Sequence, residues 1–336
     1  MRLRRLTTLA VAATAVLGLG TAGPARAAPA YAPLDQRGPA LSVPVDRLDA
    51  ALECNGPVTR TGPAPILLVP GTTMDPEVGF SWNYERAFTQ RGWRWCAVTL
   101  PQDATGDVQR AGEYVVHALR TLNKRSGKKV DVVGWSQGGM VPRWALRYWP
   151  DTRPLVDDLV GLSPSNHGTT VADAACRDAC SPAAWQQRSI SAFMPALNSG
   201  AETFAGISYT SAYTRADEVV VPNAGPAPSS ALRTGGGRIA NVATQDVCPA
   251  NTADHFAIGS YDPVGYALAV DALTHDGPAV PARIPLSTCA QAFQPGVDPA
   301  TFADDYATFV QYAVDDEGDA PDRASEPALE RYVFAR

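Results

Sequence analysis

The chain has 336 residues, 45% of them hydrophobic and 18% charged, which excludes disorder over most of its length and allows one large α/β domain or two smaller ones. The formal charge is −6, and because Arg2, Arg4, Arg5 and Arg26 are the only charged side chains among the first 27 residues, the remainder carries −10. That excludes nucleic-acid binding as a main function, since duplex affinity draws largely on Lys and Arg against phosphates.

In chain order, Arg2, Arg4 and Arg5 precede an apolar stretch from Leu6 to Leu19, and Ala25-Arg26-Ala27 supplies a small-x-small cleavage pattern. Residues 1–27 therefore read as an export signal. The stretch is short for a span of about 20 apolar residues, and no later one is long enough, so the mature protein is expected to be secreted, with no integral membrane segment. Residues 28–63, rich in Pro, Gly and Ala, read as an irregular lead-in.

From Pro65 the pattern changes. Ile66 to Val69 is a continuous apolar run closed by Pro70-Gly71, as expected of a strand buried on both faces of a parallel sheet. Trp95–Leu100 is a second candidate strand. Val108–Leu122 has helical apolar spacing, with Lys124, Arg125 and Gly127 as a stop. Val130–Val133 is a third strand, and Val141–Tyr148 continues as a helix that Pro150 ends. Leu159–Leu162, Ile207–Tyr209, Val219–Val221 and Ile239–Val242 complete the strands. Strands alternating with helices predict an α/β fold, an open, mostly parallel sheet with helices on both faces. Residues 164–200 interrupt the alternation and read as a cap excursion. The charge run from Asp315 to Asp322 reads as a solvated face or flexible end.

Six cysteines fit an oxidising compartment. Cys176 and Cys180 enclose three residues, Cys54 and Cys96 flank the first apolar strand, and Cys248 and Cys289 flank a segment containing His255. Sequential pairing is expected. Zinc is disfavoured because no pair has C-x-x-C spacing.

The chemistry centres on Gly134-Trp135-Ser136-Gln137-Gly138, directly after Val130-Asp131-Val132-Val133 and before a helix. This is the context of a nucleophile elbow, in which a serine on a sharp strand-to-helix turn projects its hydroxyl from the end of the sheet. Glycines two places either side let strand and helix approach closely. A serine hydroxyl needs a base. Of four histidines, His117 falls in a predicted helix and His167 in the excursion. In the serine, acid, histidine order, His255 fits best, with His275 in reserve. The acid is expected after a strand between the two, which selects Asp217, with adjacent Glu218 left open by spacing. Asp157 and Asp158 come earlier and read as capping or solvated. Oxyanion donors are expected from the backbone N–H of Gln137 and from Thr72, which offers an N–H and a hydroxyl.

On these residues the sequence resembles the lipase B family of secreted α/β-hydrolases. The resemblance rests on Ile66-Leu67-Leu68-Val69-Pro70-Gly71-Thr72, Trp135-Ser136-Gln137-Gly138-Gly139, Ala216-Asp217-Glu218-Val219-Val220 with Pro222, Val247-Cys248 leading to Asp254-His255, and Trp185-Gln186-Gln187 in the excursion. It implies the α/β-hydrolase fold and a lipase or carboxylesterase acting on acylglycerols and related esters, with no metal or organic cofactor. It also implies Ser136, Asp217 and His255 as the catalytic set, Thr72 and Gln137 as oxyanion donors, and disulfides Cys54–Cys96 and Cys248–Cys289. Gly134, Cys176 with Cys180, and Thr73-Met74-Asp75 depart from the family pattern.

The expected organisation is a catalytic domain over 64–314, the excursion within it at about 164–200, and an acidic tail over 315–336. An extracellular acyltransferase or a polyester hydrolase would use the same three side chains. The expected partner is an ester or lipid, met at a lipid–water interface by a monomer.

Overall fold

Continuous apolar runs make strands that can be covered on both sides, and the sheet is built around two of them. The computed structural model describes residues 30–315 and 320–336; the expected export signal and Asp316, Glu317 and Asp319 of the acidic run lie outside the described residues. Among these, seven strands form one sheet: β1 Leu52–Cys54, β2 Pro65–Val69, β3 Arg94–Val98, β4 Val130–Trp135, β5 Val156–Leu162, β6 Ser208–Tyr213 and β7 Arg238–Ala243. Their order is β1-β3-β2-β4-β5-β6-β7. β1 pairs antiparallel with β3, and every other pairing is parallel.

Alternate residues of the two central strands feed two cores. Leu67, Val69, Val130 and Val132 pack with the helices Val108–Ser126 and Gln137–Tyr148 on one face. Ile66, Leu68, Val133 and Trp135 pack with Phe80, Tyr84, Phe88 and the helix Pro263–Thr274 on the other. The long helix begins where the Asp107 carboxylate accepts from the Gln109 amide and ends at Gly127, whose φ of 65° suits a residue without Cβ.

Several expectations are corrected. The lead-in is not wholly irregular: it contains the helix Val45–Ala50 and β1, fixed to β3 by a disulfide within the register pair Cys54↔Cys96. The other disulfides are Cys176–Cys180 and Cys248–Cys289, so the cysteines pair sequentially. β6 extends to Tyr213 because Ser208, Thr210 and Ser211 are buried there despite their polarity, which an apolar-run criterion misses. Val219–Val221 is not a strand. The amides of Val219 and Val220 turn onto the Asp217 carboxylate instead of a neighbouring strand.

The excursion forms three short helices, Thr170–Ala175, Pro182–Gln186 and Phe193–Leu197. The end of the chain is not free. A helix, Phe302–Asp315, precedes it, and residues 320–336 return across the body. Arg323 exchanges backbone hydrogen bonds of 2.8 and 3.1 Å with Cys180. The Glu326 carboxylate accepts from the amides of Ala192 and Phe193 at 2.8 Å each. Tyr332 packs among Trp144, Tyr148 and Trp149, and Val333 is fully buried. The physical reason is that the acidic run stops at Asp322, and Leu329, Tyr332, Val333 and Phe334 beyond it have apolar surface to bury. No helix among the described residues is long and apolar enough to cross a membrane.

If the last segment is part of the core, Val333→Ala should cost about 1–3 kcal/mol of unfolding free energy, whereas exposed Asp322→Ala should stay within about 0.5 kcal/mol. Urea unfolding of the two variants checks this, and equal, negligible effects would contradict it.

Candidate active site

The parallel strands β4, β5 and β6 end on one edge of the sheet, and the candidate residues collect there. Ser136 links β4 to the helix Gln137–Tyr148 with φ 55° and ψ −125°, a left-handed conformation that costs an L-residue on the order of 1–3 kcal/mol. Its amide donates to Leu162 O at 2.8 Å and its carbonyl accepts from the Gly139 amide at 3.0 Å. A Cβ on Gly134 would lie 2.0 Å from Gly138 O, and one on Gly138 would lie 2.0 Å from Val69 O. The two glycines are therefore required by backbone contact, strand against helix and helix against the neighbouring strand end.

Asp217 and His255 meet as a buried pair, with Nδ1 at 3.0 Å from Oδ1 and 3.1 Å from Oδ2. His255 is 2% exposed and opens the helix His255–Ser260, which the Asp254 carboxylate caps by accepting from the Ala257 amide at 2.7 Å. The adjacent acids differ in their contacts. Asp217 takes the imidazole, while Glu218 Oε2 accepts the backbone N–H of His255 at 3.1 Å. Trp135 Nε1 donates to His255 O at 3.0 Å, and its ring lies 5.4 Å from the imidazole.

Burial alone would raise the Asp217 carboxyl, but the charge and hydrogen bond of His255 and the Val220 amide outweigh it, so its pKa lies below the ordinary carboxylate value. Asn223 completes the support. Its Nδ2 donates to Asp217 Oδ2 at 3.0 Å and to Ser230 Oγ at 2.9 Å. Sequence reasoning missed Asn223, because nothing in its spacing distinguishes it from a turn residue.

Ser136 and His255 line one cavity of about 230 Å³, with Thr72, Val171, Ala172, Ala184, Val219 and Phe256 among its walls. Thr72 lies on that wall, and the buried Gln137 sits beside it. The Thr72 hydroxyl donates to Gln137 Oε1 at 3.0 Å, and Gln187 Nε2 donates to both, at 2.8 Å each. The hydroxyl that the sequence leaves available is thus engaged by a side chain. Ser165 Oγ in turn holds Gln187 Oε1 at 2.8 Å, which explains the Gln in the excursion motif. The helix Phe302–Asp315, not foreseen from sequence as part of the site, adds Ala313 to the cavity wall. It is tied on by the Thr73 hydroxyl, which donates to Ala313 O at 3.0 Å, and by Phe309 against Trp135.

The other histidines are used elsewhere. His117 pairs with Asp49 at 2.7 Å, His167 with Glu202 at 3.3 Å, and the reserve candidate His275 with Asp271 at 3.3 Å. Asp157 is exposed and paired with Lys129, but Asp158, expected to cap or be solvated, is buried within β5.

The family model described as Lipase (class 2) matches residues 63–246. The chain belongs to that family. A lipase B of Pseudozyma antarctica is 36% identical over 222 residues, a match covering 65% of this chain and 64% of that protein. The chain thus spans somewhat less than two thirds of the Pseudozyma lipase. The crystal structure of Aspergillus fumigatus lipase B superposes with a TM-score of 0.80 at 30% identity, covering 92% of this chain and 75% of that one. The class 2 lipase domain accordingly has the α/β-hydrolase fold, and its matched span contains the Ser136 turn and the Asp217 loop.

A carboxyl with a lowered folded-state pKa releases its proton more readily in the folded than in the unfolded chain. Its stabilisation is complete above the unfolded value of about 3.9 and is lost as pH falls through the folded one. Asp217→Asn should therefore destabilise the protein by about 1.5–3 kcal/mol at pH 7, with the gap narrowing below about pH 3.9. Denaturant unfolding at both pH values tests this, and a gap independent of pH would contradict it.

Proposed function

We propose that the protein is a secreted serine lipase or carboxylesterase that hydrolyses acylglycerols and related esters through an acyl-enzyme. The observation that carries this reading is the buried Asp217–His255 pair opening onto the cavity that also holds Ser136. With Nδ1 occupied by Asp217, the imidazole has Nε2 left to accept a proton, the tautomer a general base requires.

In this mechanism the Ser136 hydroxyl adds to the ester carbonyl while its proton passes to His255. The oxygen that gains negative charge lies against the backbone amides of Thr72 and Gln137. The Gln137 amide starts a helix and so has no partner four residues back; fixed donors of this kind act without reorganising. Collapse of the intermediate breaks the bond to the alcohol, which leaves with the proton from His255. Water, deprotonated by the same imidazole, then adds to the acyl-enzyme and releases the carboxylic acid and Ser136. The imidazolium formed in each half is offset by the carboxylate of Asp217, which is kept ionised by His255 and the Val220 amide.

Substrate class follows from the walls. Val171, Ala172, Ala184, Val219, Val220 and Phe256 supply apolar surface for an acyl chain, and Val171 is 41% exposed, which suits contact with a lipid surface. Six paired cysteines favour an oxidising, extracellular setting.

Ser136→Ala should lower kcat for p-nitrophenyl esters by on the order of 10⁴-fold or more, with an unchanged circular dichroism spectrum. Turnover within tenfold of the parent would refute the assignment.

A further inference from the structure

At the edge of the sheet away from Ser136, three carboxylates converge where the strand register slips. Val130 pairs with Val156 but Val132 pairs with Leu159, so Asp157 and Asp158 together oppose the single residue Asp131. This is the two-against-one arrangement of a β-bulge, which re-aims side chains that would otherwise alternate between faces. One oxygen from each of Asp131, Asp157 and Asp158 lies within 4.8 Å of the others.

Clustering of acids alone is unremarkable, but one oxygen here is unaccounted for. The Asp158 carboxylate takes a hydrogen bond from Ser208 and feels the charge of Arg238, but the residue is 8% exposed and its Oδ1 is buried with no hydrogen-bond partner among the described residues. An ionised oxygen left this way is costly unless a cation sits against it. The nearby positive groups are committed. Lys129 Nζ holds Asp157 Oδ1 and Gly206 O at 3.0 Å each. Arg238 pairs with Asp276 at 2.9 Å and donates to Ser208 Oγ at 2.9 Å. Asp131 accepts the backbone N–H of Asp158, a neutral donor that does not offset the charge.

We propose that Asp131, Asp157 and Asp158 form a calcium site that ties the start of β4 to the bulge of β5. The donors are all hard oxygens, the ligand type of calcium and magnesium rather than of zinc or copper. Oxygens within 4.8 Å of one another can share one ion, and calcium accepts an irregular carboxylate set of this kind more readily than magnesium, which demands near-octahedral geometry and sheds water reluctantly. Asp157 is exposed, which provides the entry path, and water completes the coordination. The site is structural, since it lies on two strands at the edge opposite Ser136.

The test uses the full, disulfide-bonded chain freed of metal by chelation. Calorimetric titration with calcium chloride should reveal one ion per chain, with a dissociation constant on the order of 10⁻⁴–10⁻³ M. Saturating calcium should raise the thermal midpoint by roughly 2–4 °C, magnesium should do less, and Asp158→Asn should lose both responses to calcium. If that variant does not fold, exposed Asp157→Asn should weaken binding at least about tenfold. A parent chain indifferent to calcium, or an Asp158→Asn chain that still binds one ion, would overturn the proposal. So would a calcium-independent stabilisation by Asp158→Asn, which would mean that the carboxylates share a proton instead. None of these readouts depends on ester turnover.

Discussion

The site depends on one constrained residue. Ser136 is held at φ 55°, a conformation that persists only where its surroundings over-determine it. Those surroundings are Leu162 O on the serine amide and two glycines whose missing side chains allow contacts a Cβ would block at 2.0 Å. The sheet core supplies the rigidity: β2, β4 and the following helix are buried along nearly their whole length. Packing energy from an ordinary parallel sheet thus maintains a local strain, and the strain directs one hydroxyl toward the cavity.

Three acids close together divide the remaining work by position rather than by type. Asp217 faces the imidazole, Glu218 holds the amide of the same histidine, and Asp254 caps the helix that begins with it. Only Asp217 is buried, so a shift of one residue along the chain would put the exposed Glu218 where the amide-supported carboxylate stands. Beside the cavity, the side chains of Thr72, Gln137, Gln187 and Ser165 satisfy one another in a hydrogen-bonded chain.

Much of this was legible in the sequence because it depends on local pattern. Strand runs such as Ile66–Val69 and the stop at Gly127 follow from burial and backbone geometry, and the turn at Ser136 is written in contiguous residues. What was illegible depends on distant contact. Asn223 looks like any turn residue until Asp217 and Ser230 are brought beside it, and Val219–Val221 has strand composition but spends its amides on the Asp217 carboxylate and the Thr169 hydroxyl. The polar face of β6 hid its length. The last segment was obscured by the acid run before it, although Tyr332 and Val333 find an apolar surface made by Trp144, Tyr148 and Trp149. Asp158 reads as solvated when the strand is taken to start at Leu159, but the strand begins at Val156 and encloses it.

The central claim is that the Asp217–His255 pair makes the hydroxyl of Ser136 reactive. Covalent labelling by a fluorophosphonate, followed by peptide mapping, tests it most directly. The account predicts one adduct per chain, on Ser136, with the labelling rate lowered on the order of 10⁴-fold in Asp217→Asn. An adduct on another residue, or labelling of Asp217→Asn at the parent rate, would contradict it.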